Sequence, residues 1–203
     1  LFADYDSWAI DVTNKLIETE QFNSVSYVDV RTNTPTLEEL SAFGSVFVWS
    51  DWGFSNPSEL GNNLADYVDG GGGVVNAMFT VGSVSLQGRF ETEDYWAIDP
   101  IYNLSGEMSV GTIHDEDHPI LNGVESLEGC GNCYRPTGGF SDGATMIAEW
   151  SDGKALIATK DINGVHRADL GLFPPTTDGY TYGWDPDSDV ILLMANALTW
   201  VSG

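Results

Sequence analysis

Basic side chains are scarce in this sequence of 203 residues. Lysine and arginine together number 7, against 31 aspartates and glutamates, which gives a formal net charge of −24. Nucleic-acid-binding proteins neutralise phosphates with lysine and arginine, and proteins that dock on anionic lipid use the same side chains. The composition therefore excludes a nucleic-acid partner and argues against such docking. No apolar run approaches the roughly 20 residues that span a bilayer, so we predict no membrane insertion.

The acidic composition also indicates a compartment. A surface that is rich in short acids and poor in lysine stays soluble by self-repulsion, which salt screens. We expect a marine or halophilic protein that is extracellular or lies at the cell surface; an acidic cytosolic protein is the alternative. Residues 1–4 resemble the end of a strand, and the length suits one domain. We therefore expect residues 1–203 to be a single domain within a longer chain.

Only two cysteines are present, Cys130 and Cys133, and they lie in a glycine-rich loop. A zinc site needs two further ligands, and no second cysteine pair exists. Redox CxxC motifs open a helix after a strand, which this loop does not. We favour a local disulfide, with a zinc site and a redox pair as alternatives.

Helix and strand patterns alternate along the chain. Thr36 and Glu39 have the spacing of a capping box, and Asn56-Pro57 is a second helix-start signal. Continuous apolar strands such as residues 45–50 are typical of parallel strands covered on both faces. The patterns predict helices over 6–20, 36–43, 56–69 and 186–200, and strands over 24–30, 45–50, 74–79, 108–113, 145–150, 155–160 and 165–173. We predict an α/β fold, a three-layer sandwich with a mostly parallel central sheet.

Six segments in this order resemble the class I glutamine amidotransferase-like fold, as found in modules of secreted and surface bacterial proteins and in the related ThuA-like proteins. They are PTLEEL (35–40), FVWSD (47–51), LADYVDGGGGVV (64–75), GRF (88–90), HPILNGV (118–124) and LLMANALTW (192–200).

The resemblance implies where a catalytic site would lie. In amidotransferases a cysteine follows the strand after the glycine-rich block, and a histidine follows a later strand. Here residues 76–79 read Asn-Ala-Met-Phe, and Pro174 stands in place of the histidine. Both catalytic residues are missing, which favours a non-catalytic protein and leaves enzyme activity open.

Two acidic stretches are candidates for binding a cation, and calcium is the ion that carboxylates favour. The first is an extended loop with Asp115, Asp117 and His118. The second is Asp185, Asp187 and Asp189, whose alternate spacing starts a calcium loop but lacks the later glycine and glutamate. An alternative for the second stretch is a helix start, with Asp185 as the cap.

Several aromatic residues lie in loops near predicted strand ends, where open α/β sheets bind ligands. The candidates for ligand binding are Trp52, Trp96, Trp184 and Tyr182. Such rings can anchor a protein interface or stack on sugars, or they can simply pack over the sheet edge. We expect a non-catalytic extracellular module that binds a protein partner or copies of itself, with calcium as its candidate ion. The alternative is a domain that binds or hydrolyses glycans with loop tryptophans and acids.

Overall fold

The computed structural model describes residues 1–203, and a seven-stranded sheet runs through its centre. Its strands in chain order are β1 (Phe2–Ala3), β2 (Ser45–Ser50), β3 (Gly73–Asn76), β5 (Val110–Ile113), β7 (Thr145–Trp150), β8 (Ala155–Ile162) and β9 (Val165–Leu170); β4 (Asn103–Leu104) and β6 (Arg135–Pro136) form a separate pair. The helices are α1 (Asp6–Glu18), α2 (Leu37–Leu40), α3 (Pro57–Asp69), α4 (Arg89–Thr92) and α5 (Val190–Val201), with a 3-10 turn at Pro119–Leu121.

The sheet has a parallel half and an antiparallel half. Its order is β1-β2-β3-β9-β8-β7-β5; the pairs from β1 to β9 are parallel, and those from β9 to β5 are antiparallel. In β2, residues 46–50 are all buried, as expected of a strand covered on both faces. The predicted α/β fold is confirmed, and the parallel pairs bring the carboxyl ends of β1, β2 and β3 to one edge of the sheet.

Helices cover the sheet, and their starts follow the sequence signals. Thr36 and Glu39 form the predicted capping box, and Asn56 caps α3 through the Glu59 amide. On one side α1 packs against α5, while α3 packs against α2 and α4. A continuous cluster of buried apolar side chains joins these layers. No helix has both the length and the apolar character needed to cross a membrane.

Two sequence predictions need correction. The strand expected over 24–30 is a single bridge between Phe2 and Asp29, because β1 offers this segment only one partner residue. The last helix begins at Val190 instead of 186. Asp185 Oδ1 accepts the Asp187 amide at 2.9 Å, so residues 185–188 form a turn, and Asp189 is the residue before the helix.

A buried ion pair fastens a crossover segment to the middle of the sheet. Arg167 and Asp169 on β9 are fully buried, and the guanidinium donates to Asp169 Oδ1 at 2.9 Å. Asp169 Oδ2 accepts the backbone amides of Ala97 and Ile98, and its Oδ1 also accepts Asn76 Nδ2. One carboxylate thereby holds β3, β9 and residues 97–98 together.

The two cysteines form the predicted disulfide. Cys130 and Cys133 are bonded to each other, with their Cα atoms 5.1 Å apart. The bond closes a short loop beside Tyr182, whose carbonyl accepts the Asn132 amide at 3.1 Å.

Candidate functional site

A chain of neighbouring aromatic rings lies at the carboxyl edge of the parallel strands. We call it the aromatic row. Its ring centroids lie 5.8 Å apart from Trp52 to Tyr5, 4.8 Å from Tyr5 to Trp8, 4.8 Å from Trp8 to Tyr180, and 5.8 Å from Tyr180 to Tyr182. Trp52, Tyr5 and Tyr182 are each about half exposed, at 48%, 50% and 55%. The row therefore exposes aromatic surface to solvent at the edge where open α/β sheets bind ligands, with neighbouring rings inclined at 54–85° to each other.

Phe173 supports the aromatic row from below. This buried ring contacts Trp8 and Tyr180 of the row, with centroid separations of 5.8 Å in both cases. It also touches Phe79 after β3 and Tyr134 after the disulfide loop. Because Phe173 is 5% exposed and packed on several sides, it holds the rings above it in place.

The loop that carries Tyr180 and Tyr182 is fastened to α1. Asp11 on α1 accepts the Thr176 amide at 2.8 Å and also the Thr176 hydroxyl. Lys15 forms an ion pair with Asp178 at 2.8 Å. These bonds fix the spacing between the rings of α1 and those of the loop.

Two carboxylates follow the first two strands at the same edge. Asp4 comes directly after β1 and Asp51 directly after β2, and the amides of Asp51 and Trp52 both donate to the Ala3 carbonyl, at 3.0 and 2.9 Å. Asp4 is completely buried. Its Oδ1 accepts the Tyr5 amide at 2.8 Å, whereas its Oδ2 has no hydrogen-bond partner in the protein.

The surroundings of this acid pair favour the protonated form of both groups. Burial, with a smaller contribution from the Asp51 charge, raises the pKa of Asp4 to about 7, against the lowering effects of the Tyr5 amide and the positive charge of Arg31. Partial burial also raises the pKa of Asp51. A carboxyl group that titrates near neutral pH can donate or accept a hydrogen bond there, which ordinary surface acids cannot do.

Three polar groups extend the site toward the disulfide loop. The Asn132 amide nitrogen lies 3.4 Å from the Tyr134 hydroxyl and 3.3 Å from the Tyr180 hydroxyl. Burial, followed by the bond to Tyr180, raises the pKa of Tyr134 to about 12, and Asp51 contributes in the same direction. The Tyr134 hydroxyl therefore stays protonated and can donate to a ligand.

The structure divides the four predicted ligand-binding residues into two pairs. Trp52 and Tyr182 lie in the aromatic row, at its two ends. Trp96 and Trp184 are only 3% and 2% exposed, so their assignment as ligand-binding residues is wrong. Trp184 donates its indole N–H to the Phe173 carbonyl at 2.9 Å and stacks on Trp150, which makes it a core residue.

The turn after β3, where the resemblance implies a catalytic cysteine, is buried. Asn76 is bonded to Asp169, and Met78 is fully buried. Thr80 is also buried, and its hydroxyl pairs with that of Ser50 at 3.2 Å. The acid pair and the tyrosines of the candidate site lie outside this turn.

The predicted cation ligands are engaged elsewhere or dispersed. Asp189 Oδ2 accepts the amides of Glu125 and Ser126, both at 2.8 Å. His118 uses Nδ1 to accept the Ile120 amide at 3.2 Å and packs against Trp200. No three histidine, cysteine, aspartate or glutamate side chains are arranged to hold a metal ion. The calcium sites at Asp115, Asp117 and His118 and at Asp185, Asp187 and Asp189 stay predictions without geometric support.

The two main cavities lie away from the aromatic row. One, of about 690 Å³, is mainly apolar and lies between α1 and the first half of β2. The other, also about 690 Å³, is lined by the 116–123 loop, Gln21 and the end of α5. Neither contains Asp4, Asp51 or an exposed ring of the row. We place the candidate site at the row because the perturbed acids, hydroxyls and exposed rings meet there.

Sequence reasoning missed most of this site. Asp4, Asp51, Tyr5, Trp8 and Tyr134 were not among the predicted site residues. One signal was available: Asp4 and Asp51 each follow a strand directly, and the carboxyl ends of neighbouring parallel strands meet at one edge.

No protein-family model matches this sequence, and no curated protein matches it significantly. Solved structures match its fold. Cytoplasmic protein STM3548 from Salmonella typhimurium superposes with a TM-score of 0.67 at 14% identity, over 93% of this chain and 86% of that one. ThuA-like proteins from Parabacteroides merdae and Bacteroides uniformis give TM-scores of 0.65 and 0.60 at 13% and 10% identity; they cover 99% and 98% of this chain and 88% of each of theirs. The chain therefore has the ThuA-like, glutamine amidotransferase-like fold.

Proposed function

We propose that the protein binds a carbohydrate at the aromatic row. The observation that carries this proposal is the row itself, with exposed Trp52, Tyr5 and Tyr182 beside Asp51. Aromatic faces pack against the C–H groups of sugar rings, while carboxylates and hydroxyls bond to sugar hydroxyls. Both kinds of group lie along one edge, so a ligand there meets apolar and polar contacts together.

The spacing of the row suits an oligosaccharide better than a single sugar. The five rings are separated by four steps of 4.8–5.8 Å. A bound chain can therefore rest on several rings, and loss of one ring weakens binding without abolishing it. Phe173 and the α1 contacts keep the rings in place before binding, which limits the entropy lost on association.

The test is calorimetric titration with tetrasaccharides, comparing the wild type with Trp52→Ala. We expect the substitution to weaken binding about tenfold, which corresponds to ~1.4 kcal/mol. The matched control is Tyr102→Ala, because Tyr102 is an exposed ring (68%) outside the row. Equal affinity of the wild type and Trp52→Ala for every sugar that binds would refute the site.

A second candidate function is a module that binds a protein partner or a second copy of the chain. It is favoured by a separate patch around β4, where Ile101, Tyr102 and Leu104 are 53%, 68% and 39% exposed. Exposed apolar groups that lie together mark interaction surfaces. Light scattering after size exclusion, in high salt with calcium and again with chelator, tests it. An oligomer that Tyr102→Ser disrupts supports this second function. A monomer in both conditions contradicts binding to a second copy of the chain.

A further inference from the structure

The basic side chains of the protein are almost all committed to acids. Each arginine and two of the three lysines form ion pairs: Arg31 with Asp6 and Asp29, Arg89 with Asp66, Asp69 and Glu93, Arg135 with Asp152, Arg167 with Asp169, Lys15 with Asp178, and Lys160 with Asp94. Lys154 is the exception, and it lies in the turn between β7 and β8. That turn is at least three strand spacings from β2, or ~14 Å. No uncommitted lysine or arginine therefore lies beside Asp51, which directly follows β2.

The acid pair, in contrast, lacks a positive partner. Asp4 and Asp51 are close enough to repel each other, and Oδ2 of the fully buried Asp4 has no hydrogen-bond partner. Arg31 is the cation near Asp4, but its guanidinium already bonds Asp29 and Asp6, each at 2.9 Å. A buried, unpartnered carboxylate oxygen is costly, and a bound donor or cation reduces that cost.

We propose that the ligand at the aromatic row is an amino sugar whose protonated amine bonds to Asp51, in front of Asp4. This inference rests on the carbohydrate function proposed above and names the class of sugar. Asp51 supplies the carboxylate at the surface, and a bound ammonium favours ionisation of the neighbouring Asp4, because it offsets the repulsion between the two acids. The neighbouring Trp52 ring offers a face that attracts cations as well as apolar C–H groups.

The same arrangement discriminates against two other classes of sugar. An acidic sugar meets the Asp51 carboxylate with no free lysine or arginine beside it to offset the repulsion. A neutral or N-acetylated sugar packs on the rings but leaves the acid pair unpaired. Specificity thus comes from the protonated amine, which complements the acid pair. Acidic sugars are repelled, and neutral or N-acetylated sugars lack this contact.

The experiment compares three β-1,4-linked tetrasaccharides of the same length by calorimetry. These are the glucosamine tetramer, its fully N-acetylated form and the glucose tetramer. It is run at about pH 6, where a sugar amine is protonated, and at about 0.3 M salt to screen the general attraction of an acidic protein for cations. We expect the glucosamine tetramer to bind at least tenfold more tightly than the other two. Asp51→Asn is expected to reduce that ratio to within about threefold.

The matched control is Glu38→Gln, which removes an exposed carboxylate from α2 that makes no hydrogen bond or ion pair. It is expected to keep the full ratio. Circular dichroism checks that each variant is folded. Equal binding of all three sugars, or a ratio that survives Asp51→Asn, overturns the amino-sugar inference and leaves the carbohydrate function standing. If none of the three sugars binds, the amino-sugar inference is overturned. Titration of the wild type and Trp52→Ala with other tetrasaccharides then decides the carbohydrate function separately.

Discussion

Two completely buried aspartates in the parallel half of the sheet have opposite environments. Asp169 on β9 accepts four hydrogen bonds, from Asn76, Arg167 and the amides of residues 97 and 98. Asp4 after β1 accepts one, from the Tyr5 amide, and its second oxygen has no partner. Burial is the same at 0% exposure. The difference is whether the fold itself supplies the partners, and it separates a structural carboxylate from one that is left for a ligand.

The two carboxylates also differ in which elements they serve. Asp169 joins strands and a crossover segment, so its partners belong to the core. Asp4 sits where a strand ends, beside Asp51 and the exposed rings. Asp4 Oδ2 is one of four buried side-chain polar atoms without a hydrogen-bond partner; the others are Asn76 Oδ1, Trp96 Nε1 and Arg167 Nε. Of these four, Asp4 is the one beside the exposed rings, so the contrast favours the carboxyl edge as the proposed ligand site and the middle of the sheet as the structural centre.

The largest expected effect comes from breaking the satisfied pair. Asp169→Asn leaves the buried Arg167 guanidinium without its negative partner, and we expect it to destabilise the fold by about 3–5 kcal/mol. Urea unfolding followed by circular dichroism measures it. The control is Asp161→Asn on the same hairpin, an exposed acid that contacts His166, with an expected change within about 0.5 kcal/mol. A loss below about 1 kcal/mol for Asp169→Asn would contradict a structural role.

A smaller effect of the opposite sign is expected for Asp4→Asn. The pKa of Asp4 is about 7 in the folded protein, above its value of 3.8 without the fold. Folding therefore favours the protonated acid, and Asp4 costs stability progressively as the pH rises from about 4 to about 7. Asparagine cannot ionise, so the variant should gain stability over the wild type between pH 5 and pH 8, on the order of 1–3 kcal/mol after solvent screening.

The measurement for Asp4→Asn is the melting temperature of both proteins across that pH range. A difference between variant and wild type that does not change with pH would show that Asp4 is not held in its protonated form. The comparison with Asp169→Asn then gives the sharper result, because one buried aspartate stabilises the fold and the other destabilises it.

The smallest stability effect is expected for Asp51→Asn. Asp51 reaches the surface, so its loss should change the free energy of unfolding by no more than about 0.5 kcal/mol. Its removal also eliminates one negative charge beside Asp4, so the pH at which Asp4 titrates should fall. NMR titration of the Asp4 carboxyl carbon in wild type and variant measures that shift. An unchanged titration would mean that the two acids do not interact.

The sequence predicted the framework of the fold well. The strand at 45–50 matches β2 at both ends, and the Asn56-Pro57 signal marks the start of α3. These are local properties, since a capping hydroxyl or a run of apolar residues acts within a few positions. The disulfide was also predictable, because two residues separate its cysteines. The strand predicted over 24–30 failed because a distant partner, β1, sets its extent, and the start of α5 failed because the local turn at Asp185 delays the helix to Val190.

The candidate site was much less predictable. Trp52, Trp96 and Trp184 have similar loop positions in the sequence, yet one is half exposed and two are buried. Burial of a ring depends on what packs over it; Trp184 is covered because it stacks on Trp150 from β7. No local pattern around residue 184 carries that information.

By itself the sequence determined the α/β class, the starts of α2 and α3, the disulfide and an excess of acid over base, because propensity, capping and charge depend on residue type and near neighbours. Only the tertiary structure decided which acids are paired and which rings face solvent. Asp4 and Asp51 are 47 positions apart in the sequence and become neighbours only because β1 and β2 pair in parallel. The same pairing brings Tyr5 and Trp52 together, so the site exists only in the folded sheet.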